Sequence, residues 1–268
     1  MKKVLYVILA SISLLSCNNS EKEKTEKKAM THEQMMTELF PKPKVKIRTV
    51  GILLYDNYAV LDAMGPFHVF SDMMGVEVFF VGRHKGLITT MNGMKVQCDR
   101  SIDDVKQLDI LLIPGGLNET YQLTKDKVLL DWIKMIDKNS KYTTSVCTGA
   151  WVLAATGLLD GKDVTSHWYG KKLLKEKFNV NVVDERYTNS GKYWTSAGVS
   201  AGIDMSLAIV RDINGDNYTK AVMLDLEYDP KPPIEGGSVK NTDKVIVESM
   251  QGMYDSVLLP FIKETDKK

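Results

Sequence analysis

Short, uninterrupted apolar runs alternate along this chain with segments whose apolar positions recur at helical spacing, a pattern that predicts buried parallel strands joined by helices. Residues 46–55 (KIRTVGILLY) predict the first strand, residues 62–74 a helix, and residues 76–81 (VEVFFV) the second strand. Residues 87–90 and 94–97 flank Asn92-Gly93, a hairpin-turn dipeptide, and predict a small β excursion. Residues 109–114 (DILLIP) carry an apolar centre suited to a strand covered on both faces. Between 128 and 138, Val128, Leu129, Trp132, Ile133 and Ile136 fall on one face and predict a core-facing helix. Residues 141–146 (KYTTSV) read as a strand from their β-branched and aromatic content, and run directly into a helix-like stretch from Trp151 to Thr156 that Gly157 ends. Beyond it come an extended segment at 164–168, a helix at 171–178, short strands at 180–183 and 193–195, and a long apolar helix at 197–210. Residues 242–262 have the spacing of a last helix packed on the domain. The alternation predicts an α/β fold with a mostly parallel sheet sandwiched between helices. Ligands in such sheets gather at the C-terminal ends of strands. Three segments satisfy that condition: after Tyr55, after Ile113 and at Cys147.

The N-terminus departs from this pattern. Met1-Lys2-Lys3, an apolar run from Val4 to Leu15 and then Ser16-Cys17-Asn18 have the form of a secretory signal too short to span a bilayer. Leu14-Leu15-Ser16-Cys17 resembles a bacterial lipobox, so the expectation is a signal peptide over 1–16 and a lipidated Cys17; an ordinary signal peptide containing a Cys is the alternative. Asn18 is not the Asp that inner-membrane lipoproteins of Gram-negative bacteria would carry, which places the expected anchor in the outer membrane of the cell envelope. Residues 20–28 (SEKEKTEKK) have no apolar face and read as a solvated tether within 17–44. Residues 31–40 suit a weak helix, Pro41 and Pro43 punctuate the approach to the domain, and 45–264 is one globular unit.

Charge narrows the partners. The chain holds 35 basic and 34 acidic residues, and removing Lys2 and Lys3 with the signal leaves 33 against 34, a net of −1. No basic patch interleaved with aromatics is present, so no nucleic acid is expected. Cys98 and Cys147 lie in separate segments and are not expected to pair. The cysteines and the 4 histidines show no metal-ligand spacing, and no cofactor motif occurs. The 14 methionines read as core filling and Asp103-Asp104 as a solvated loop or helix start. Asp204, in an apolar stretch, requires polar partners.

Candidate chemistry centres on Ser145-Val146-Cys147-Thr148-Gly149-Ala150. A strand turning into a helix through one Cys presents the thiol at a sharp bend, near the amides and positive end of the helix, where thiolate is favoured. A buried Cys filling the core is the alternative. Asp62 is either a carboxyl that exchanges a proton at the site or the N-cap of a helix. Gly115 and Gly116 follow an apolar strand; their amides, with that of Thr148, suit an oxyanion site, unless Pro114-Gly115-Gly116 is simply a tight turn.

Taken together, Leu61-Asp62-Ala63-Met64-Gly65-Pro66, Ile113-Pro114-Gly115-Gly116, the Cys147 elbow, Thr165-Ser166-His167-Trp168 and Thr195-Ser196-Ala197-Gly198-Val199-Ser200-Ala201-Gly202-Ile203-Asp204 resemble the ThiJ/PfpI superfamily. The resemblance covers residues 47–233 and is nearest to the branch of isonitrile hydratases and AraC-type regulator input domains, whose tail Glu227-Tyr228-Asp229-Pro230 resembles. It implies a flavodoxin-like, class I glutamine amidotransferase-like fold, with Cys147 as nucleophile and Asp62 as the acidic residue that approaches it. Protease-like members carry a His directly after the Cys; here Thr148 takes that place, as in the hydratase-like branch, where its hydroxyl assists. His167, Trp168 and Ser196 are then pocket candidates, with His167 ordering the pocket or meeting a neighbouring subunit.

The resemblance implies a cofactor-free, cysteine-dependent hydratase or lyase acting on a small molecule such as an isonitrile, giving an N-substituted formamide. Glyoxalase- or deglycase-like action on reactive carbonyls, and ligand binding without turnover, are the alternatives. It also implies a homodimer. The 35 residues after Pro233 are too few for a pair of helix-turn-helix motifs, which argues against a DNA-binding regulator.

Overall fold

The structure, a computed structural model, describes residues 30–267; the expected signal peptide, Cys17 and the charged segment 20–28 lie outside the described residues. In chain order the elements are α1 (His32–Leu39), β1 (Thr49–Leu54), α2 (Val60–Ser71), β2 (Glu77–Gly82), β3 (Gly86–Thr89), β4 (Lys95–Cys98), β5 (Arg100–Ser101), β6 (Ile110–Ile113), α3 (Asn118–Leu123), α4 (Lys127–Asp137), β7 (Tyr142–Val146), α5 (Gly149–Ala155), β8 (Asp163–Val164), α6 (Gly170–Lys177), β9 (Asn181–Val182), β10 (Tyr187–Ser190), β11 (Tyr193–Ser196), α7 (Ala201–Asn214), α8 (Asp216–Asp225) and α9 (Lys244–Thr265).

The main sheet runs β10-β11-β7-β6-β1-β2-β5, parallel throughout except for the β10–β11 hairpin. From β1 the chain winds outward through β2 and β5, then returns to lay β6 on the other side of β1. Strand order therefore reverses between β1 and β6, the position where open α/β sheets form a crevice. Leu54, Ile113 and Val146 end three adjacent strands on that edge, so the segments that follow them converge.

Helices on both faces explain the burial of these strands. Every residue of β6 is buried, as are all but the first of β1. β7 is buried throughout although Thr143, Thr144 and Ser145 are polar. Thr143 Oγ1 donates to Asp137 Oδ1 at 2.7 Å and Thr144 Oγ1 to Leu111 O at 2.9 Å, which offsets the desolvation of those hydroxyls.

The expected α/β sandwich is present, with local differences. α4 starts with Asp126, whose side chain accepts from Leu129 N at 3.1 Å, and buries Leu129, Trp132, Ile133 and Ile136; Val128 is exposed, one position outside the buried stripe. β9 pairs with β8 in a separate small sheet rather than extending the main one. β10 and α8 were not legible: the Tyr-Thr-Asn-Ser sequence of β10 is an edge strand paired through the turn at Gly191 (φ 69°). α7 begins at Ala201 instead of Ala197, because Val199 has φ 47° and cannot continue a helix backward. Near the N-terminus, Thr31 and Gln34 form a reciprocal capping box on α1.

Candidate active site

The strand–helix transition after β7 places Cys147 at φ 58°, in the left-handed region that non-glycine residues enter at a cost of about 1–3 kcal/mol. Surrounding bonds over-determine that conformation. Cys147 N–H donates to Ser196 O and Ala197 O, both at 3.1 Å, and Cys147 O accepts from Ser166 Oγ at 2.8 Å. Glycines let the backbones close in: a Cβ on Gly149 would sit 2.2 Å from Ile113 O, and one on Gly115 would sit 2.8 Å from Cys147 Cβ. Asn57 (φ 60°) and Val199 (φ 47°) flank the same region, so three of the four non-glycine residues with positive φ among the described residues gather here.

Asp62 lies in the first turn of α2 but does not cap it; the N-cap is Ala59, without a side-chain bond. Instead Asp62 Oδ2 accepts from Gly115 N–H at 3.0 Å, while Oδ1 is buried without a well-formed hydrogen bond. Burial drives the Asp62 pKa up to about 7, against the pull of the Gly115 amide, the Cys147 thiol and the Val199 amide. Carboxyl and thiol therefore face each other with little exposure to solvent, Cys147 being 6% exposed.

This arrangement changes the expected state of the thiol. Burial raises the Cys147 pKa well above its ordinary value, and the Asp62 charge raises it further; the Thr148 amide and hydroxyl act in the opposite direction. Helix-terminal amides alone therefore do not make a thiolate here. The two groups titrate as a pair, so a thiolate forms only when Asp62 takes the shared proton.

Thr148 and Gly116 are tied to each other: Thr148 Oγ1 donates to Gly116 O at 2.8 Å and accepts from Gly116 N–H at 3.0 Å. Two of the three amides expected as oxyanion donors are thus engaged, that of Gly115 by Asp62 and that of Gly116 by Thr148, while the Thr148 amide faces the Cys147 sulfur. The engaged amides position the acid and the Thr148 hydroxyl.

His167 and Trp168 lie on a cavity of about 450 Å³, with Lys171, Arg186, Val199 and Lys240. That volume is in the range of small-molecule pockets. Burial and then Lys171 push the His167 pKa down to about 4, so the imidazole is neutral near pH 7. It packs over Gly198 and against Trp168, and among the described residues no hydrogen bond joins it to Cys147. Ser196 does not line that cavity: its carbonyl holds the elbow and its hydroxyl is buried without a partner.

Sequence reading missed three supports. Tyr55 OH donates to Pro114 O and accepts from Thr120 Oγ1, both at 2.8 Å, bracing the β6 turn beneath Asp62. Val199 supplies an amide to Asp62 from a strained backbone that no propensity rule would assign to a β-branched residue. Tyr254, far along the chain, packs on His167, Trp168 and Tyr169, where burial and then the Cys147 charge raise its pKa. Asp204 found its partners in Arg186 and the Tyr228 hydroxyl. Among the described residues no group of acidic, His and Cys side chains could hold a metal ion, and no helix is long and apolar enough to cross a membrane.

Comparison with known proteins agrees with this architecture. A protein titled "Isonitrile hydratase" from Pseudomonas putida is 34% identical over 199 residues, spanning 74% of this chain and 86% of that protein. The HTH-type transcriptional regulator CdhR of Pseudomonas aeruginosa is 31% identical over 131 residues, 48% of this chain but 38% of the regulator. A crystal structure of a ThiJ/PfpI family protein from Pseudomonas syringae superposes with a TM-score of 0.79 at 27% identity, covering 90% of this chain and 98% of that one. With residues 48–212 matching the DJ-1/PfpI family throughout the sheet and the elbow, the chain belongs to that family.

Proposed function

We propose that this protein is a cysteine-dependent hydratase of small molecules, with an isonitrile as substrate and an N-substituted formamide as product. The observation that carries the reading is the buried Asp62–Cys147 pair, in which a carboxyl with a pKa of about 7 faces the thiol. Likeness to the protein titled isonitrile hydratase supports it.

An isonitrile carbon is attacked by a nucleophile and must gain a proton at the same atom. Cys147 Sγ forms the new S–C bond while the Asp62 proton goes to that carbon, giving a thioimidate (Cys–S–CH=N–R) and a carboxylate. Water then adds across C=N, directed by the Thr148 hydroxyl; the nitrogen takes a proton. Collapse of the adduct breaks the S–C bond, expels the thiolate and passes the hydroxyl proton to the Asp62–Cys147 pair, leaving R–NH–CHO. General acid assistance of this kind contributes about 10²–10⁴-fold. With the Gly115 and Gly116 amides engaged, only the Thr148 amide is left for a developing oxyanion, which favours this addition over acyl transfer or carbonyl chemistry that is best served by paired donors.

Formamide production from a simple alkyl isonitrile, with Cys147→Ala as the paired control, tests the reading. Turnover lost in the variant supports it; turnover unchanged in the variant contradicts it. Ligand binding without turnover is the second reading, favoured by likeness to the CdhR regulator and by the raised thiol pKa. An isonitrile that binds without formamide release would select it. We also propose export and lipid attachment at Cys17, tested by fatty-acid labelling of cells expressing the full chain or Cys17→Ala.

A further inference from the structure

The residues that bear the proposed chemistry lie within 48–212, but a ring from α9, beyond that span, packs on the segment that holds the elbow. Residues 166–170 clasp the elbow: Ser166 Oγ holds Cys147 O at 2.8 Å, and a Cβ on Gly170 would lie 3.1 Å from Thr148 Cγ2. Three rings of this clasp receive Tyr254. Its ring stacks on Tyr169 with centroids 4.6 Å apart, and meets His167 and Trp168 edge-on at 5.8 Å each.

Anchors at its C-terminal half hold α9 in this place. Leu258 and Ile262 are buried, Tyr169 OH donates to Asp255 Oδ1 at 2.9 Å, and Tyr121 OH donates to Asp266 Oδ1 at 2.7 Å. Lys125 and Lys177 add ion pairs to Asp266 at 3.1 and 2.6 Å. Tyr254 itself makes no hydrogen bond among the described residues, so its contribution is the ring. A rigid aromatic surface held against three rings sets a width and limits the entry of water, whereas a flexible side chain would do neither.

We infer that α9 roofs the reaction site and that Tyr254, wedged against His167, Trp168 and Tyr169, is the specificity-determining residue that admits only slender substrates to Cys147. As applied to isonitriles this rests on the function proposed above: linear alkyl isonitriles are favoured over branched or cyclic ones. The raised Tyr254 pKa, to which the Cys147 charge contributes, supports the proximity.

The test uses the full chain and reads alkylation at Cys147 by peptide mass mapping, with iodoacetamide as the small probe and N-phenylmaleimide as the bulky one. Tyr254→Ala is expected to raise the bulky-to-small rate ratio about tenfold, the scale on which a pocket discriminates by size. Tyr254→Phe should keep the wild-type ratio, and Met253→Ala, at an exposed position of α9, should do the same. An unchanged ratio in a folded Tyr254→Ala protein overturns the inference, as does an equal rise in Met253→Ala, which would mean the helix has merely loosened. Should Tyr254→Ala fail to fold, Tyr254→Leu carries the same expectation. In parallel, kcat/KM for cyclohexyl isonitrile relative to methyl isonitrile should rise in Tyr254→Ala. No turnover of either by the wild type would contradict the proposed function, and the probe ratio would still decide the roof.

Discussion

Cys147 and Cys98 are both buried and unpaired, and burial raises the pKa of both. Cys98 ends β4 in ordinary extended backbone, fully covered, with its thiol donating to Arg100 O at 3.3 Å and packed where a Cβ on Gly82 would be 3.1 Å away. Cys147 sits in left-handed backbone, retains slight exposure, and faces a carboxyl whose Oδ1 lacks a well-formed bond. Desolvation alone therefore does not distinguish a reactive cysteine from a packed one. The distinction lies in strain held by neighbouring bonds and in a proton-bearing partner, features that have a cost to stability and persist at sites of function.

The largest effect that would break this contrast is on turnover. Cys147→Ala should lose about 10⁴-fold or more of formamide production, while Cys98→Ala should stay within about twofold of wild type. Comparable losses in the two variants would erase the distinction.

Asp62→Asn sharpens it, because the change should move reactivity and turnover in opposite directions. Without a proton to give, turnover falls about 10²–10⁴-fold. Without the carboxylate charge, the Cys147 pKa falls, so iodoacetamide reacts at lower pH. A parallel decline in both would mean that Asp62 merely supports the fold.

A third prediction concerns glycine at the elbow. A Cβ on Gly115 would come within 2.6 Å of Thr148 N and 2.8 Å of Cys147 Cβ, so Gly115→Ala should lower stability by about 1–3 kcal/mol and disturb the nucleophile. Cys98→Ala removes one buried sulfur and should cost about 1–2 kcal/mol with kcat unchanged. Chemical denaturation beside a rate assay separates the two.

The last effect is a pH-dependent one. The folded Asp62 pKa of about 7 stands above the usual carboxylate value, so the folded state holds a proton that the unfolded state has released between about pH 4 and pH 7. The stability linked to that proton is fully present below the unfolded value and is lost as pH rises through about 7. Asp62→Asn should consequently have a Tm a few degrees above wild type at about pH 8, with the gap closing toward about pH 4. Thermal melts at the two pH values check the sign.

Much of this site was legible because it is local. The Cys147 elbow and the Pro114-Gly115-Gly116 turn directly follow β7 and β6, Asp62 lies in the helix that follows β1, and parallel pairing brings these strand ends together. The pairing of particular donors was not legible. Nothing in the sequence assigns the Gly115 amide to Asp62 or the Gly116 amide to Thr148, since both follow from the register of β6 against β1 and β7. The raised thiol pKa was missed for the same reason: helix-end logic is local, whereas burial is a property of the packed whole. Val199 and Tyr254 lay further out of reach, one through a strained backbone and the other through α9 folding back over a distant segment.

The most direct test of the account is the mass of the protein quenched in acid during turnover of an alkyl isonitrile. An adduct of one whole substrate mass, mapped to Cys147, is expected, present in Cys98→Ala and absent in Cys147→Ala. Formamide released with no adduct on Cys147, or an adduct that persists in Cys147→Ala, would contradict it.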